Sequence, residues 1–151
     1  MVKPNRTPSA IVNRRAKYDY QLGDSFVVGL ALSSAETKAL RMGHGQLRGA
    51  YVNVKDGELW LMGAQINPTS GVQIDETDQI RNRKLLAKRR EIDQMIAAKQ
   101  QGNTIVPLEL LTKGRYIKLR IAVGRGKKRY DKRETIKRRQ QQRDIARQAR
   151  G

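Results

Sequence analysis

The sequence contains no cysteine and few aromatic side chains. None of its 151 residues is Cys, and it has one Phe, one Trp and five Tyr. The missing cysteine excludes a disulfide scaffold, a cysteine zinc site and a thiol nucleophile, and it fits a reducing compartment. A chain of 151 residues is about the size of one domain. We expect one folded body, held together by a modest hydrophobic core.

Acidic residues are also scarce. Asp and Glu number 14 against 32 Lys and Arg, which gives a net charge of +18. A chain this basic attracts polyanions, and nucleic acid is the leading partner. An anionic membrane is the competing polyanion, but there is no 18-residue apolar run, no signal-peptide pattern and no lipidation motif. We expect a soluble, cytoplasmic protein with no membrane partner.

The charge is concentrated at the end of the chain. Residues 124–151 hold 12 Lys or Arg and three acids, a net +9, so half the net charge lies in the last fifth. Ile136 and Ile145 are nine residues apart, which places them on opposite sides of a helix. Because no apolar stripe could dock on the body, we expect this basic tail to be disordered alone and helical where anions neutralise it. A merely solubilising tail is the alternative.

Several patterns predict β-strands. Apolar residues alternate in 25–32 and again in 116–123, as they do on a strand with one buried face. Asp56-Gly57 between two β-rich runs predicts a hairpin of residues 51–54 and 58–62. Another strand is predicted at 104–111, with Pro107 indicating an edge or a strand start. Trp60 and Tyr51 alternate within the hairpin, where core packing is favoured over a role as stacking platforms.

Two helices are predicted between the strands. Ser33 and Glu36 have capping-box spacing, which predicts a short helix through Arg41 that Gly43 ends. Within 88–101, apolar residues recur every three or four positions, which predicts an amphipathic helix. Residues 67–78 are interpreted as a polar loop, and 81–90 as a basic segment. The predicted fold is mainly β, a small antiparallel OB-like β-barrel with two or three flanking helices.

Three regions are expected on this basis: a flexible lead-in at 1–10, an RNA-binding barrel at 11–123 and the basic tail at 124–151. Catalytic signals are weak throughout. His44 stands between two glycines with no second His in the chain, and Gly124-x-Gly126 lacks the third glycine of a dinucleotide fingerprint. We predict no enzymatic activity, no cofactor, no metal site and no small-molecule substrate.

Several segments, taken in order, resemble one family. They are NRRAKYDY at 13–20, GLAL at 29–32, ETKALR at 36–41, YVNVKDG at 51–57, RKLL at 83–86 with Arg90-Glu91, TIVPL at 104–108 and GKKRYDKR at 126–133. The last of these, followed by Ile136-Lys-Arg-Arg, is the most specific. Together they resemble the SsrA-binding protein family SmpB, partners of transfer-messenger RNA in bacterial ribosome rescue.

The resemblance implies a division of surfaces. One side of the body would bind the tRNA-like domain of transfer-messenger RNA through Asn13, Tyr20, Lys38, Arg41, Lys84, Leu86 and Lys118. We add Lys17 and Arg120 to this predicted RNA-binding set, since alternation in 116–123 turns Arg120 outward together with Lys118. The opposite side would face the small ribosomal subunit. The tail would enter the decoding centre and the empty messenger channel through Gly126, Lys127, Lys128, Tyr130, Asp131, Lys132 and Arg133. We add Lys137 and Arg138 of the following basic run to this predicted set.

The implied partners are transfer-messenger RNA, the ribosome with its small-subunit rRNA, and elongation factor Tu carrying the charged RNA. The chain is expected to be a monomer. Val27 departs from the family pattern, because an acidic side chain is common at that position, and Ser34 and Thr37 also differ. A structural ribosomal protein remains the alternative function, and a membrane-associated basic protein is a third.

Overall fold

The computed structural model describes residues 10–126, together with Gln140 and Arg143. The predicted lead-in up to Ser9 and nearly all of the basic tail lie outside the described residues. The strands are β1 (Ala10–Val12), β2 (Tyr20–Leu30), β3 (Gly45–Gln46), β4 (Tyr51–Lys55), β5 (Glu58–Met62), β6 (Gln65–Ile66), β7 (Arg83–Leu86), β8 (Thr104–Leu111) and β9 (Lys118–Gly126). The helices are α1 (Ala16–Asp19), α2 (Ser34–Arg41), α3 (Glu76–Gln79) and α4 (Arg89–Gln100). The fold is mainly β, as predicted.

Seven strands form one antiparallel sheet. Its order is β1-β8-β4-β5-β7-β2-β9, and β8 also pairs with β9. The pairings therefore run from β8 through β4, β5, β7, β2 and β9 back to β8, while β1 adds to the side of β8. Strands β3 and β6 form a separate ladder.

The hairpin between β4 and β5 confirms the prediction from Asp56-Gly57. Asp56 has φ of 53° and Gly57 has φ of 73°. Two consecutive positive φ values are those of a type I′ turn, whose twist matches that of the flanking strands. The register that follows sets Asn53 opposite Trp60 and Lys55 opposite Glu58.

The helix after β2 is also confirmed, with its capping box. The Glu36 amide donates to Ser33 Oγ at 3.2 Å, and the Ser33 amide donates to Glu36 Oε1 at 2.9 Å. These two bonds satisfy amides that have no partner within the helix. After Arg41 the chain turns at Gly43, whose φ is 84°.

The hydrophobic core joins the sheet to α2 and α4. Strand residues such as Val28, Leu61 and Leu119 are buried in one cluster with Leu40 of α2 and with Ile92 and Met95 of α4. The amphipathic helix predicted within 88–101 is thus confirmed. The core prediction was wrong for Trp60 and Tyr51, since neither belongs to this cluster and Tyr51 is 48% exposed. Side chains alternate along a strand, so Leu61 points into the core and the adjacent Trp60 points to the opposite face.

The last strand differs from its predicted bounds. The alternation predicts 116–123, whereas β9 starts at Lys118 and continues to Gly126. Glycines usually weaken strands, so the sequence favours a stop at Val123. At Gly124, however, a Cβ would lie 2.9 Å from Val106 Cγ2 and 3.3 Å from Tyr20 Cβ. The missing side chain allows β2 and β8 to approach β9 closely here.

The interpretation of 81–90 as only a basic segment was wrong, because this segment contains β7. The loop prediction for 67–78 is confirmed as far as Asp75, although the loop buries Val72 and Ile74, and α3 begins at Glu76. The prediction that Pro107 marks an edge or a strand start was wrong, because β8 has paired strands on both sides. Pro107 is buried in the middle of β8, where the register with β9 shifts between Pro107 and Glu109. Proline lacks an N–H to donate, and an irregularity of this kind leaves one residue out of the ladder.

Candidate nucleic-acid interface

Three neighbouring strands bring predicted RNA-binding residues together. Gly29 of β2 is opposite Leu86 of β7 on one side and opposite Lys118 of β9 on the other, and Val27 is opposite Arg120. Directly opposed residues share a face of the sheet, and so do residues two apart on a strand. One outward face, which we call the strand face, therefore carries Val27, Gly29, Lys84, Leu86, Lys118 and Arg120.

A cavity of about 500 Å³ opens on the strand face. Its lining includes Val27, Gly29, Lys84, Leu86 and Lys118, together with Glu58, Lys88 and Glu91. Gly29 gives the cavity its depth, because a Cβ there would lie 3.1 Å from Leu86 Cβ and 3.3 Å from the Leu86 carbonyl oxygen. Leu86 itself is 54% exposed although it is a large apolar residue. The cavity thus combines apolar side chains with three lysines and two glutamates.

The cations of the strand face are not equivalent. Arg120 Nε donates to Glu109 Oε1 at 3.0 Å, so its charge is partly balanced. Neither Lys84 nor Lys118 forms an ion pair within the described part of the chain. These two lysines are therefore the groups on the face best suited to neutralise phosphates.

A second cavity, of about 370 Å³, extends the interface through Arg120. Arg120 lines it together with Asn13, Lys17, Leu22 and Leu108. Because Arg120 belongs to the strand face and also lines this cavity, the two cavities are neighbours on one surface. Six of the nine predicted RNA-binding residues lie along it: Lys84, Leu86, Lys118, Arg120, Asn13 and Lys17.

Asn13 has a structural partner that the sequence did not reveal. Its Nδ2 donates to the Pro107 carbonyl at 2.8 Å, and its backbone amide donates to the Leu108 carbonyl at 2.8 Å. Asn13 therefore holds the irregular stretch of β8. Tyr20, another predicted RNA-binding residue, is half-buried at the start of β2 and pairs with Gly126.

The other two predicted RNA-binding residues lie on α2. Lys38 is exposed, whereas the Arg41 guanidinium bonds the loop between β8 and β9. Its Nη1 donates to the carbonyls of Thr112 at 3.2 Å and Gly114 at 2.9 Å, and its Nη2 donates to that of Arg115 at 3.0 Å. Arg41 thus fixes this loop, and a direct contact of Arg41 with RNA stays a prediction.

The predicted decoding-centre residues are described only at their start. Gly126 ends β9, exposed and paired with Tyr20. The rest of that set, from Lys127 to Arg138, lies outside the described residues. The structure therefore fixes only Gly126 of this set, at the end of β9.

Sequence reasoning missed a buried ionic cluster beneath this surface. Arg83 is 0% exposed, and its guanidinium donates to Glu36 Oε2 at 2.7 Å and to the carbonyls of Ala64, Arg81, Asp78 and Gln79. Arg81 also bonds both carboxylate oxygens of Glu36. A buried charge needs such partners, because an unpaired one is costly to desolvate. The RKLL motif was noticed, but no local pattern shows that its arginine points inward.

The protonation of this cluster follows from its contacts. Burial raises the pKa of the Glu36 carboxyl, but hydrogen bonds from Arg81, Ser33 and Arg83 and attraction to Arg83 outweigh it, so the pKa is lowered. Burial lowers the pKa of Arg83, and the hydrogen bond and attraction to Glu36 offset only part of this effect. The carboxylate is therefore ionised at neutral pH and paired with guanidinium groups.

Comparison with known proteins identifies the family. The model of the family described as SmpB protein matches residues 10–151. The chain belongs to the SmpB family.

Curated relatives support the membership over most of the chain. The SsrA-binding protein of Trichormus variabilis is 44% identical over 137 residues, which cover 89% of this chain and 88% of the relative. That of Coxiella burnetii (strain Dugway 5J108-111) is 44% identical over 144 residues, which cover 94% and 90%. Members of the SmpB family thus resemble the chain over nearly their full length.

A solved structure shows the same fold. It is described as "tmRNA-SmpB: a journey to the center of the bacterial ribosome", and one of its chains matches with a TM-score of 0.67 and 32% identity. The match covers 85% of the present chain and 95% of the other. The architecture above is therefore that of an SmpB protein.

Within 10–126, no three His, Asp or Glu side chains are grouped so that they could hold a metal ion. None of the helices found there has the length and apolar character needed to span a bilayer.

Proposed function

We propose that the chain is an RNA-binding adaptor that binds the tRNA-like domain of transfer-messenger RNA and delivers it to stalled ribosomes for trans-translation. Family membership and the names of its relatives support this function. The chain would act by binding alone, in the cytoplasm and as a monomer, with no cofactor. Peptide transfer would belong to the ribosome, and GTP hydrolysis to elongation factor Tu carrying the charged RNA.

One observation carries the proposal: two neighbouring cavities, one on the strand face and one lined by Arg120 of that face. They align six predicted RNA-binding residues on one surface, although these residues come from β7, β9 and the segment that contains α1. Lys84 and Lys118 lie unpaired on it among the described residues, next to the exposed apolar side chain of Leu86. Unpaired cations beside an apolar surface fit the phosphates and sugar edges of a folded RNA.

The proposal includes an OB-like barrel as the scaffold. The cyclic order of pairings through β8, β4, β5, β7, β2 and β9 supports a closed antiparallel barrel. In such a barrel the strand face would be part of the outer wall, with α2 and α4 packed at its ends. The body would extend to Gly126, where β9 ends, and the tail would begin at Lys127.

For the tail we propose entry into the decoding centre and the empty messenger channel. Support comes from the sequence: Gly126, Lys127, Lys128, Tyr130, Asp131, Lys132 and Arg133 match the family segment, and Lys137 and Arg138 continue its charge. Cations would neutralise rRNA phosphates, Tyr130 would stack on a base and Asp131 would cap an induced helix. The channel would be accessible to this tail only when no messenger fills it.

A competition assay tests the adaptor function. The protein is titrated against the labelled tRNA-like domain of transfer-messenger RNA, with unlabelled bulk RNA of equal length as competitor. We expect the tRNA-like domain to be preferred by at least about 100-fold, a modest value for specific nucleic-acid recognition. Equal affinity for both RNAs would contradict the proposal. Stoichiometric co-purification with salt-washed subunits would favour the structural ribosomal protein instead.

A further inference from the structure

The most exposed large aromatic side chain of the described residues lies in the loop between β8 and β9. Tyr116 is 67% exposed, although it directly precedes Ile117, which is buried. The buried Thr112 stands at the other end of the loop. Both ends of the exposed stretch 113–116 are thus anchored, and Tyr116 projects from a fixed point.

Arg41 makes this loop rigid. Its guanidinium donates to the carbonyls of Thr112, Gly114 and Arg115 at 2.9–3.2 Å. A planar guanidinium that bonds three carbonyls fixes their orientation more strongly than a single contact would. The backbone just before Tyr116 is therefore set before any partner arrives.

The surroundings of Tyr116 are cationic. Arg115 Cζ lies 5.7 Å from the centroid of the Tyr116 ring, a cation–π distance. Lys113 and Lys118 are exposed on either side in sequence, and no acid occurs between Glu109 and Asp131. An exposed ring among cations fits an anionic partner that also has flat apolar faces. A nucleic acid with an unpaired base has both features.

We propose that Tyr116 is a stacking platform for one unpaired base of the RNA, with Arg115, Lys113 and Lys118 neutralising the phosphates on either side of that base. This inference rests on the proposed adaptor function and adds a site to it. Arg41 acts here as a positioning residue that holds the loop. Lys118 links the platform to the strand face, so the base would lie at one end of the RNA-binding surface.

Binding of the tRNA-like domain to four proteins tests the platform: the wild type, Tyr116→Ala, Tyr116→Phe and Tyr51→Ala. Loss of one base–aromatic stack weakens binding on the order of tenfold, which we expect for Tyr116→Ala. Tyr116→Phe keeps the ring and should bind within about twofold of the wild type. Tyr51→Ala is the matched control, an exposed tyrosine on β4, and should also bind normally.

The salt dependence of binding separates stacking from charge. Tyr116→Ala removes no charge, so the slope of log affinity against log salt should stay unchanged, whereas Lys118→Ala should lower its magnitude by about one. Wild-type affinity of Tyr116→Ala, or equal losses in Tyr116→Ala and Tyr116→Phe, would overturn the platform.

Photo-cross-linking at the same position gives a second measurement. With p-benzoylphenylalanine at position 116 in the full chain, cross-links to unpaired nucleotides of the tRNA-like domain are expected. Cross-links confined to base-paired nucleotides or to a ribosomal protein would overturn the inference. If the wild type itself showed no preference for this RNA, the adaptor function would fail; if only the Tyr116 results failed, the function would stand without this site.

Discussion

Arg83 and Glu36 form a buried ion pair across 47 residues of sequence, with Arg83 Nε 2.7 Å from Glu36 Oε2. The pair ties β7 to α2. Lys84 and Leu86 lie one and three residues after Arg83 on β7, and Lys38 lies two residues after Glu36 on α2. A contact inside the molecule therefore sets the spacing between two parts of the predicted RNA surface.

Glu36→Gln should destabilise the fold. The amide would keep an acceptor but leave the guanidinium of Arg83 buried without its counter-charge, which costs about 3 kcal/mol. Urea denaturation at neutral pH measures the change in the free energy of unfolding. Glu76→Gln on the exposed surface of α3 is the control and should change it by less than about 0.5 kcal/mol. An equal effect of both variants would contradict the role of the pair.

The same variant has a defined pH dependence. The pKa of Glu36 is lowered by folding from its ordinary value of 4.5, so the unfolded chain takes up the proton first as pH falls. The stabilisation by Glu36 is complete well above pH 4.5 and is lost as pH falls through the lowered folded pKa. The stability difference between wild type and Glu36→Gln should therefore narrow below pH 4.5. A difference that widened on acidification would contradict a lowered pKa of Glu36 in the folded protein.

Gly29→Ala should disturb the strand face. The added Cβ would lie 3.1 Å from Leu86 Cβ, so Leu86 or its strand must shift by a few tenths of an ångström. We expect a stability loss of about 1 kcal/mol and weaker binding of the tRNA-like domain. Gly23→Ala is the matched control on the same strand, since its Cβ would meet only the Val123 carbonyl at 3.4 Å. Normal RNA binding by Gly29→Ala would show that the RNA does not contact the cavity at Gly29.

The lysines of the strand face should be visible in the salt dependence of binding. If the six cations among the predicted body contacts all meet phosphates, the slope of log affinity against log salt is about −4 to −5. Lys84→Ala and Lys118→Ala should each reduce its magnitude by about one. Lys55→Ala, an exposed cation that lines neither cavity, should leave the slope unchanged. Unchanged slopes for all three would place the RNA elsewhere.

Ending the chain after Gly126 should separate binding from tagging. The truncated body keeps all of β9 and every predicted contact to the tRNA-like domain, so it should retain most of its affinity for that RNA. Peptide tagging on stalled ribosomes should be lost, because the predicted decoding-centre residues would be missing. The two activities are measured by gel shift and by a reconstituted tagging reaction. Loss of both from a normally folded body would refute this division.

Local signals predicted the elements that depend on local chemistry. Asp56-Gly57 gives its hairpin and Ser33 with Glu36 gives its capped helix, because turn and cap bonds join residues three apart or fewer. Strand β7 was missed because its first residue is an arginine. Buried Arg83 bonds Glu36 and four backbone carbonyls, and its contact with Glu36, 47 residues away, leaves no periodic pattern in the sequence.

The candidate site was predictable by residue but not by arrangement. Alternation turned Lys118 and Arg120 outward, and the family resemblance supplied Asn13 and Leu86. That the strand face lies next to the second cavity, which Arg120 lines, depends on the pairing of β2, β7 and β9, which the sequence does not encode locally. The structural roles of Asn13 and Arg41 also went unseen, since their acceptors are backbone carbonyls, which every residue carries.

The pairing of Gly126 with Tyr20 has a consequence for distance. It fixes the origin of the remaining 25 residues on the sheet, beside a predicted RNA contact. From that origin, those residues span about 38 Å as a helix and at most about 85 Å fully extended. The body must therefore dock within that radius of whatever the last residues touch. Residues 127–151 thus limit how far from the RNA-bound body residue 151 can make a contact on a ribosome.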